Sequence, residues 1–126
     1  MSEHTPEKVV LVIDDNANGR ELVRTVLEKL GFTVHEACDG LEGLDAAGKL
    51  QPDLIVLDLH MPGLNGFEVV EKLRQSDALA ATPVLALTAS AMIGDRERAL
   101  AAGFTGYVTK PIRLVDLRSE VERLLR

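Results

Sequence analysis

Val9-Val10-Leu11-Val12-Ile13-Asp14-Asp15 is the stretch whose reading decides the fold. Its five apolar residues run without interruption, and all but Leu11 are β-branched. A strand wet on one face alternates apolar and polar residues, whereas a continuous run is expected of a strand buried on both faces. Two further runs have the same character. Asp53-Leu54-Ile55-Val56-Leu57 ends at Asp58, and Pro83-Val84-Leu85-Ala86-Leu87 ends at Thr88.

Between these runs the period changes to that of a helix. Leu22, Val23, Val26, Leu27 and Leu30 recur at helical spacing, and Gly31 follows as a helix C-terminal cap. Thr33-Val34-His35-Glu36-Ala37 alternates and reads as a more exposed second strand. Leu41, Leu44 and Ala47 predict a short second helix, weakened by Gly43 and Gly48. Val69, Val70 and Leu73 point inward from a third helix. An alanine-rich fourth helix is expected from about Ser90 to Ala102, closed by Gly103. Gly106-Tyr107-Val108-Thr109 is a short fifth strand, and Leu114, Leu117, Val121, Leu124 and Leu125 mark a last helix. Strands alternating with helices predict an α/β fold, a parallel sheet with helices on both faces. One domain is expected over residues 9–126, behind a frayed tail at residues 1–8.

Composition agrees and narrows the function. The 126 residues fit one domain, with 46% hydrophobic and 27% charged residues. The single cysteine, Cys38, forbids an internal disulfide and reads as a small filler near a strand end. No apolar run approaches membrane-spanning length, and no signal-like segment opens the chain. With 14 basic and 20 acidic residues the net charge is −6, which argues against direct nucleic-acid binding.

In open α/β sheets the ligand site lies beyond the carboxyl ends of the strands. The residues there are Asp14 and Asp15 after the first strand, Asp58 after the third, Thr88 after the fourth and Lys110 after the fifth. Each has an ordinary reading alone. Asp14 and Asp15 suit a helix N-terminus, Asp58 a turn, Thr88 an N-cap, Lys110 solvent, and Pro111 a turn or cis bond. Together they suit one reaction. Clustered carboxylates repel unless a cation is present. Hard oxygen ligands suit Mg²⁺, and a carboxylate beside it can act as nucleophile and form an acyl phosphate. A lysine then neutralises phosphoryl oxygens, and a hydroxyl donates to them.

The chain resembles the receiver domain of two-component response regulators over essentially its whole length. The matching residues are Asp14-Asp15, Asp58-Leu59-His60-Met61-Pro62 with Gly66 and Glu68, Thr88-Ala89, and Lys110-Pro111. The resemblance implies a flavodoxin-like (βα)5 doubly wound parallel sheet of strand order 2-1-3-4-5. It implies Asp58 as phosphoacceptor, with Mg²⁺ held by Asp14, Asp15, Asp58 and the backbone carbonyl of His60. Lys110 is then the phosphate-binding lysine, Thr88 the switch hydroxyl and Tyr107 the switch aromatic. On its own Tyr107 reads as an edge-strand aromatic. His60 and Ser90 stand where the family tunes phosphate lifetime. His60 either orders attacking water or points to solvent. Asn65 replaces a common acid, with little consequence expected.

The same resemblance implies partners. The donor is a phosphohistidine on a histidine kinase or histidine phosphotransfer protein, docking near Asn18, Leu22, Pro111 and Ile112. A downstream protein meets the face built by the fourth helix, fifth strand and fifth helix. There Met92 and Ile93 read either as contacts or as core. A cytoplasmic monomer is expected, standing alone or excised from a hybrid kinase or larger regulator. Three rivals fare worse. A dehalogenase-type phosphatase needs an acid where His60 stands. A flavin binder needs a hydroxyl-rich loop where Asp14 and Asp15 stand. An unphosphorylated receiver relative would lack a key residue.

Overall fold

The computed structural model describes residues 8–89 and 94–125. Residues 1–7 of the expected tail lie outside them, as do Ser90, Ala91, Met92 and Ile93. Five strands alternate with five helices: β1 (Val9–Ile13), α1 (Ala17–Lys29), β2 (Thr33–Ala37), α2 (Gly40–Leu50), β3 (Leu54–Asp58), α3 (Gly66–Gln75), β4 (Val84–Thr88), α4 (Asp95–Ala102), β5 (Gly106–Thr109) and α5 (Leu114–Leu124). All pairings are parallel, in the order β2-β1-β3-β4-β5. The fold class and strand order expected from the sequence are those observed.

The continuous apolar runs behave as a two-faced strand must. Successive side chains alternate faces. Leu11, Ile13, Ile55, Leu57, Val84 and Ala86 pack with Ala47 of α2, Val69, Val70 and Leu73 of α3 and Ala99 of α4. Val10, Val12, Leu54, Val56, Leu85 and Leu87 pack on the other side with Val23 and Leu27 of α1 and Leu117 and Val121 of α5. Each fully buried aliphatic side chain contributes about 1.5–3 kcal/mol, so slipping one central strand by a residue would reverse every one of these contacts.

Some apolar positions face water instead. Leu22, Leu41 and Leu114 are 45%, 72% and 57% exposed, although their spacing placed them on the inner stripes. A helical stripe is wider than the ridge that reaches the sheet, and these three lie on its margin. Gly43 does not merely weaken α2. A Cβ there would sit 2.5 Å from Ile13 Cδ1, so its absence lets the helix approach the strand beside Asp14. Cys38 is exposed rather than a filler. It lies just past the edge strand, with Sγ 3.3 Å from Glu42 Oε2, and that hydrogen bond raises its thiol pKa. Gly31 and Gly103 do close α1 and α4, at φ +97° and +116°. Both angles are ones that glycine adopts without a Cβ penalty.

Two arginines bind loops to the frame. Arg74 of α3 donates through Nε and Nη2 to the Gly103 carbonyl at 3.0 and 2.8 Å. Its Nη1 reaches the carbonyls of Leu79, Ala80 and Thr82 at 3.2, 3.2 and 2.7 Å. Arg123 of α5 donates to the Thr105 carbonyl at 3.2 Å and to Glu120 at 2.9 Å, while Glu120 accepts from the Tyr107 N–H. The pair therefore covers backbone groups on the outer side of β5.

Candidate functional site

The β1, β3, β4 and β5 ends bring Asp14, Asp15, Asp58, Thr88 and Lys110 to one rim, as the order of strands requires. Asp14 is fully buried there. Its N–H bonds the Ala37 carbonyl at 3.2 Å, and its Oδ1 accepts from the Asn16 N–H at 2.9 Å. Asn16 also caps α1 by accepting from the Gly19 N–H at 3.0 Å. One short loop thus anchors a helix and an acid together.

Asp58 ends β3 and is 5% exposed. Its Oδ1 accepts from the His60 N–H at 3.0 Å. Lys110 Nζ bridges the two buried acids, 3.1 Å from Asp14 Oδ2 and 3.3 Å from Asp58 Oδ2. Asp15 is exposed, yet carboxylate oxygens of Asp14, Asp15 and Asp58 all lie within 4.8 Å of one another. Thr88 is buried beside them at the end of β4, where its carbonyl accepts from the Lys110 N–H at 2.6 Å. The Lys110-Pro111 bond is cis.

The electrostatics follow from this crowding. Burial raises the Asp58 carboxyl above the ordinary carboxylate range. The His60 N–H opposes that shift, the Asp14 charge adds to it, and Lys110 pulls it back. Burial by itself would lower the Lys110 ammonium, but its hydrogen bond to Asp14 and the two nearby carboxylates outweigh that and the net shift is upward. Three carboxylates against one ammonium leave two negative charges in excess when all are ionised. Such an all-oxygen, electron-rich donor set fits a small hard dication.

The resemblance names Gly66 among the matching residues without a reason, and the packing supplies one. A Cβ there would lie 2.6 Å from the Asp58 carbonyl oxygen and 2.7 Å from Leu59 Cα, both backbone atoms that cannot swing aside. Gly66→Ala is expected to destabilise the fold by about 2 kcal/mol through overpacking. It is also expected to shift the Asp58–Leu59 backbone, so thermal melting and the Asp58 amide resonance should both move. An unchanged midpoint would mean that α3 simply slides outward. Asn65 proves to be the cap of α3. It accepts from the Glu68 N–H while Glu68 accepts from the Asn65 N–H, both at 3.0 Å. An acid is not needed there to start the helix.

His60 is exposed, and its side chain borders a hollow of about 420 Å³ with Asn65 and Arg98. Tyr107 is half-buried on β5, and burial together with the nearby Asp95 and Glu97 raises its phenol. Asn18, Leu22, Pro111 and Ile112 line one shallow hollow of about 360 Å³ directly beside Lys110. No helix among the described residues is long and apolar enough to cross a membrane.

Comparison with known proteins agrees with this arrangement. A model of the response regulator receiver domain matches residues 10–122. The DNA-binding dual master transcriptional regulator RpaA of Synechocystis is 41% identical over 117 residues, which are 93% of this chain and 48% of RpaA. The chain thus spans about half the length of that relative. The polar-differentiation response regulator DivK of Brucella anthropi is 40% identical over 83% of this chain and 85% of DivK. Among solved structures, the receiver domain of a Pseudomonas aeruginosa sensor histidine kinase superposes with a TM-score of 0.87 at 29% identity, over 95% of this chain and 98% of that one. That structure holds a magnesium ion in its active-site cleft.

Proposed function

The chain belongs to the response regulator receiver domain family of two-component signalling, and from that premise we propose that Asp58 accepts a phosphoryl group from a phosphohistidine donor. The observation that carries the proposal is the meeting of Asp14, Asp15 and Asp58 within 4.8 Å, with Lys110 bridging the two buried acids. Such a cluster is costly to fold, and a phosphoryl-transfer centre gives the cost a use.

Asp14, Asp15, Asp58 and the His60 backbone carbonyl are the groups proposed to hold Mg²⁺. When bound, the ion supplies charge neutralisation to the carboxylates and to phosphoryl oxygens. The chain's own residues do the rest. An Asp58 oxygen attacks phosphorus, the P–N bond to the donor imidazole breaks, and the imidazole nitrogen leaves with the electron pair. Lys110, already 3.3 Å from the nucleophilic carboxylate, offsets charge on the transferred oxygens. Thr88 donates its hydroxyl to one of them. The hollow beside Lys110, with Leu22 and Ile112 in its lining, is where the donor docks in this reading.

The acyl phosphate adds charge and strong acceptors at the rim. Thr88 and Lys110 reach those acceptors best in one of two conformations, and that conformation gains population. Tyr107 of β5 lies next along the sheet and passes the change to the α4-β5-α5 face, where a downstream protein binds. A hollow of about 360 Å³ on that face is bordered by Arg96, Tyr107, Ser119 and Glu120. The chain acts once per donor and loses the group slowly to water, so it is a switch rather than a turnover enzyme. The same reading covers a chain that works alone and one that forms part of a larger regulator or hybrid kinase.

Intact mass after incubation with Mg²⁺ and acetyl phosphate tests the proposal. One phosphoryl adduct is expected on the wild type, with none on Asp58→Asn and none when the metal is chelated. An adduct that persists in Asp58→Asn would place the acceptor elsewhere. A folded wild type that takes no phosphoryl group from acetyl phosphate or from any phosphohistidine donor would end the reading.

A further inference from the structure

Arg20 was not singled out by the sequence, and the chemistry proposed above does not use it. Its guanidinium nevertheless joins three elements behind the acid cluster. Nη1 donates to the backbone carbonyl of Asp14 at 2.7 Å, and Nε donates to Glu36 Oε1 of β2 at 3.2 Å. The other Glu36 oxygen accepts from Arg24 at 2.9 Å, and Arg24 also pairs with Glu28 at 3.2 Å. The Arg20 side chain is 17% exposed against 48% for Arg24, so the two arginines are not equivalent surface partners.

The carbonyl held by Arg20 belongs to the peptide that joins Asp14 to Asp15. Asp14 is fixed from several sides, through its N–H, both carboxylate oxygens and now its carbonyl. Asp15 is exposed, and among the described residues its carboxylate has no hydrogen-bond partner. The preceding peptide therefore fixes where the Asp15 backbone stands, and so the point from which its carboxylate reaches the cluster. We infer that Arg20 is a positioning residue. By holding the Asp14–Asp15 peptide and anchoring itself on Glu36, it aims the Asp15 carboxylate into the acid cluster. The inference rests on the proposal that the cluster holds Mg²⁺. A charge-assisted bond at 2.7 Å is short enough to define that orientation. Groups one step behind metal ligands typically control affinity by about 10- to 100-fold.

Calorimetric titration of Mg²⁺ alone into the full chain decides it, run beside thermal melts of the metal-free proteins. Arg20→Ala is expected to weaken Mg²⁺ binding about 10- to 100-fold at a temperature where it remains folded. Arg24→Ala removes only the outer, exposed pairs and is expected to bind within about twofold of wild type. A lowered midpoint with unchanged affinity in Arg20→Ala would overturn the inference and leave Arg20 a structural residue. If the alanine variant does not fold, Arg20→Lys stands in. One ammonium cannot serve Asp14 and Glu36 in the planar fork geometry, so an affinity loss of several-fold is expected, and wild-type affinity would overturn the inference. Absence of Mg²⁺ binding by the wild type itself would sink the metal reading, and this inference with it. Wild-type binding matched by Arg20→Ala sinks this inference alone.

Discussion

Arg74→Ala is expected to lower the unfolding free energy by about 3–4 kcal/mol, and the thermal midpoint by roughly 10–15 °C for a chain of this length. The guanidinium makes five hydrogen bonds, and all five go to main-chain carbonyls. Those carbonyls sit on both sides of a gap. Leu79, Ala80 and Thr82 lie in the connection from α3 to β4, while Gly103 closes α4. The Leu79 carbonyl also accepts from the Thr82 N–H at 3.1 Å; at the other three, water would have to replace a charged donor worth more than a neutral one. Its stem also packs on Gly103, where a Cβ would meet Arg74 Cγ at 3.2 Å. Lysine is expected to restore little, because a point charge cannot reach both sides. Hydrogen exchange gives a local check. In Arg74→Ala the amides of Thr82 and Phe104 should exchange faster, well before those of β1 and β3. A loss below about 1 kcal/mol would show that the loop finds its own hydrogen bonds and that Arg74 only decorates it.

The opposite sign is expected at the site. Asp58→Asn should stabilise the metal-free protein at neutral pH, on the order of 2 kcal/mol, as relief of a strained functional site commonly does. Burial and the Asp14 charge raise the Asp58 carboxyl in the folded state. A carboxyl with a raised folded pKa binds its proton more tightly when folded than when unfolded. It therefore costs stability at every pH above its folded pKa. That cost fades as pH falls through the folded pKa, and is gone at the unfolded value near ~3.9. The gap between Asp58→Asn and wild type should accordingly be widest near pH 7 and close as the solution approaches pH ~4. Comparing the two proteins, rather than following one, removes the acid sensitivity of the remaining carboxylates. Paired chemical denaturation across that range is the measurement. A variant less stable than wild type at pH 7 would mean that the Lys110 bridge outweighs burial and repulsion together.

Much of this was legible in the sequence because the signals were strong and local. Val9–Ile13, Leu54–Asp58 and Val84–Thr88 carry uninterrupted apolar runs that only a doubly covered strand tolerates. Parallel pairing then places whatever follows each strand on one rim, so Asp14, Asp15, Asp58, Thr88 and Lys110 converge by topology alone. What the sequence concealed depends on tertiary approach. Nothing in the spacing of Leu41 says that it misses the sheet, whereas Ala47, six residues on, reaches it. Gly43 reads as a helix-weakening glycine and Gly66 as a turn residue shared with the family, yet each is small because another backbone or side chain passes within 3 Å of where a Cβ would stand. Arg20 and Arg74 look like surface charges on amphipathic helices. Arg20 left one trace: with Arg24 it stands four residues along the same helix face, opposite the acid Glu36 of the edge strand. For Arg74 the partners are carbonyls, which carry no side-chain signature, and no pattern could have named them.

The outer side of β5 has a further consequence. Tyr107 gives its N–H to Glu120, and the Thr105 carbonyl is taken by Arg123, so the sheet's last strand offers no open ladder at those positions. A second molecule arriving at this margin cannot extend the sheet by main-chain pairing without first displacing an ion pair. Recognition there has to be written in side chains, and side chains can be exchanged one at a time without altering the strand beneath. A lineage of such proteins can therefore change allies at this margin while remaining safe from the ribbon-like self-association that an unguarded edge invites.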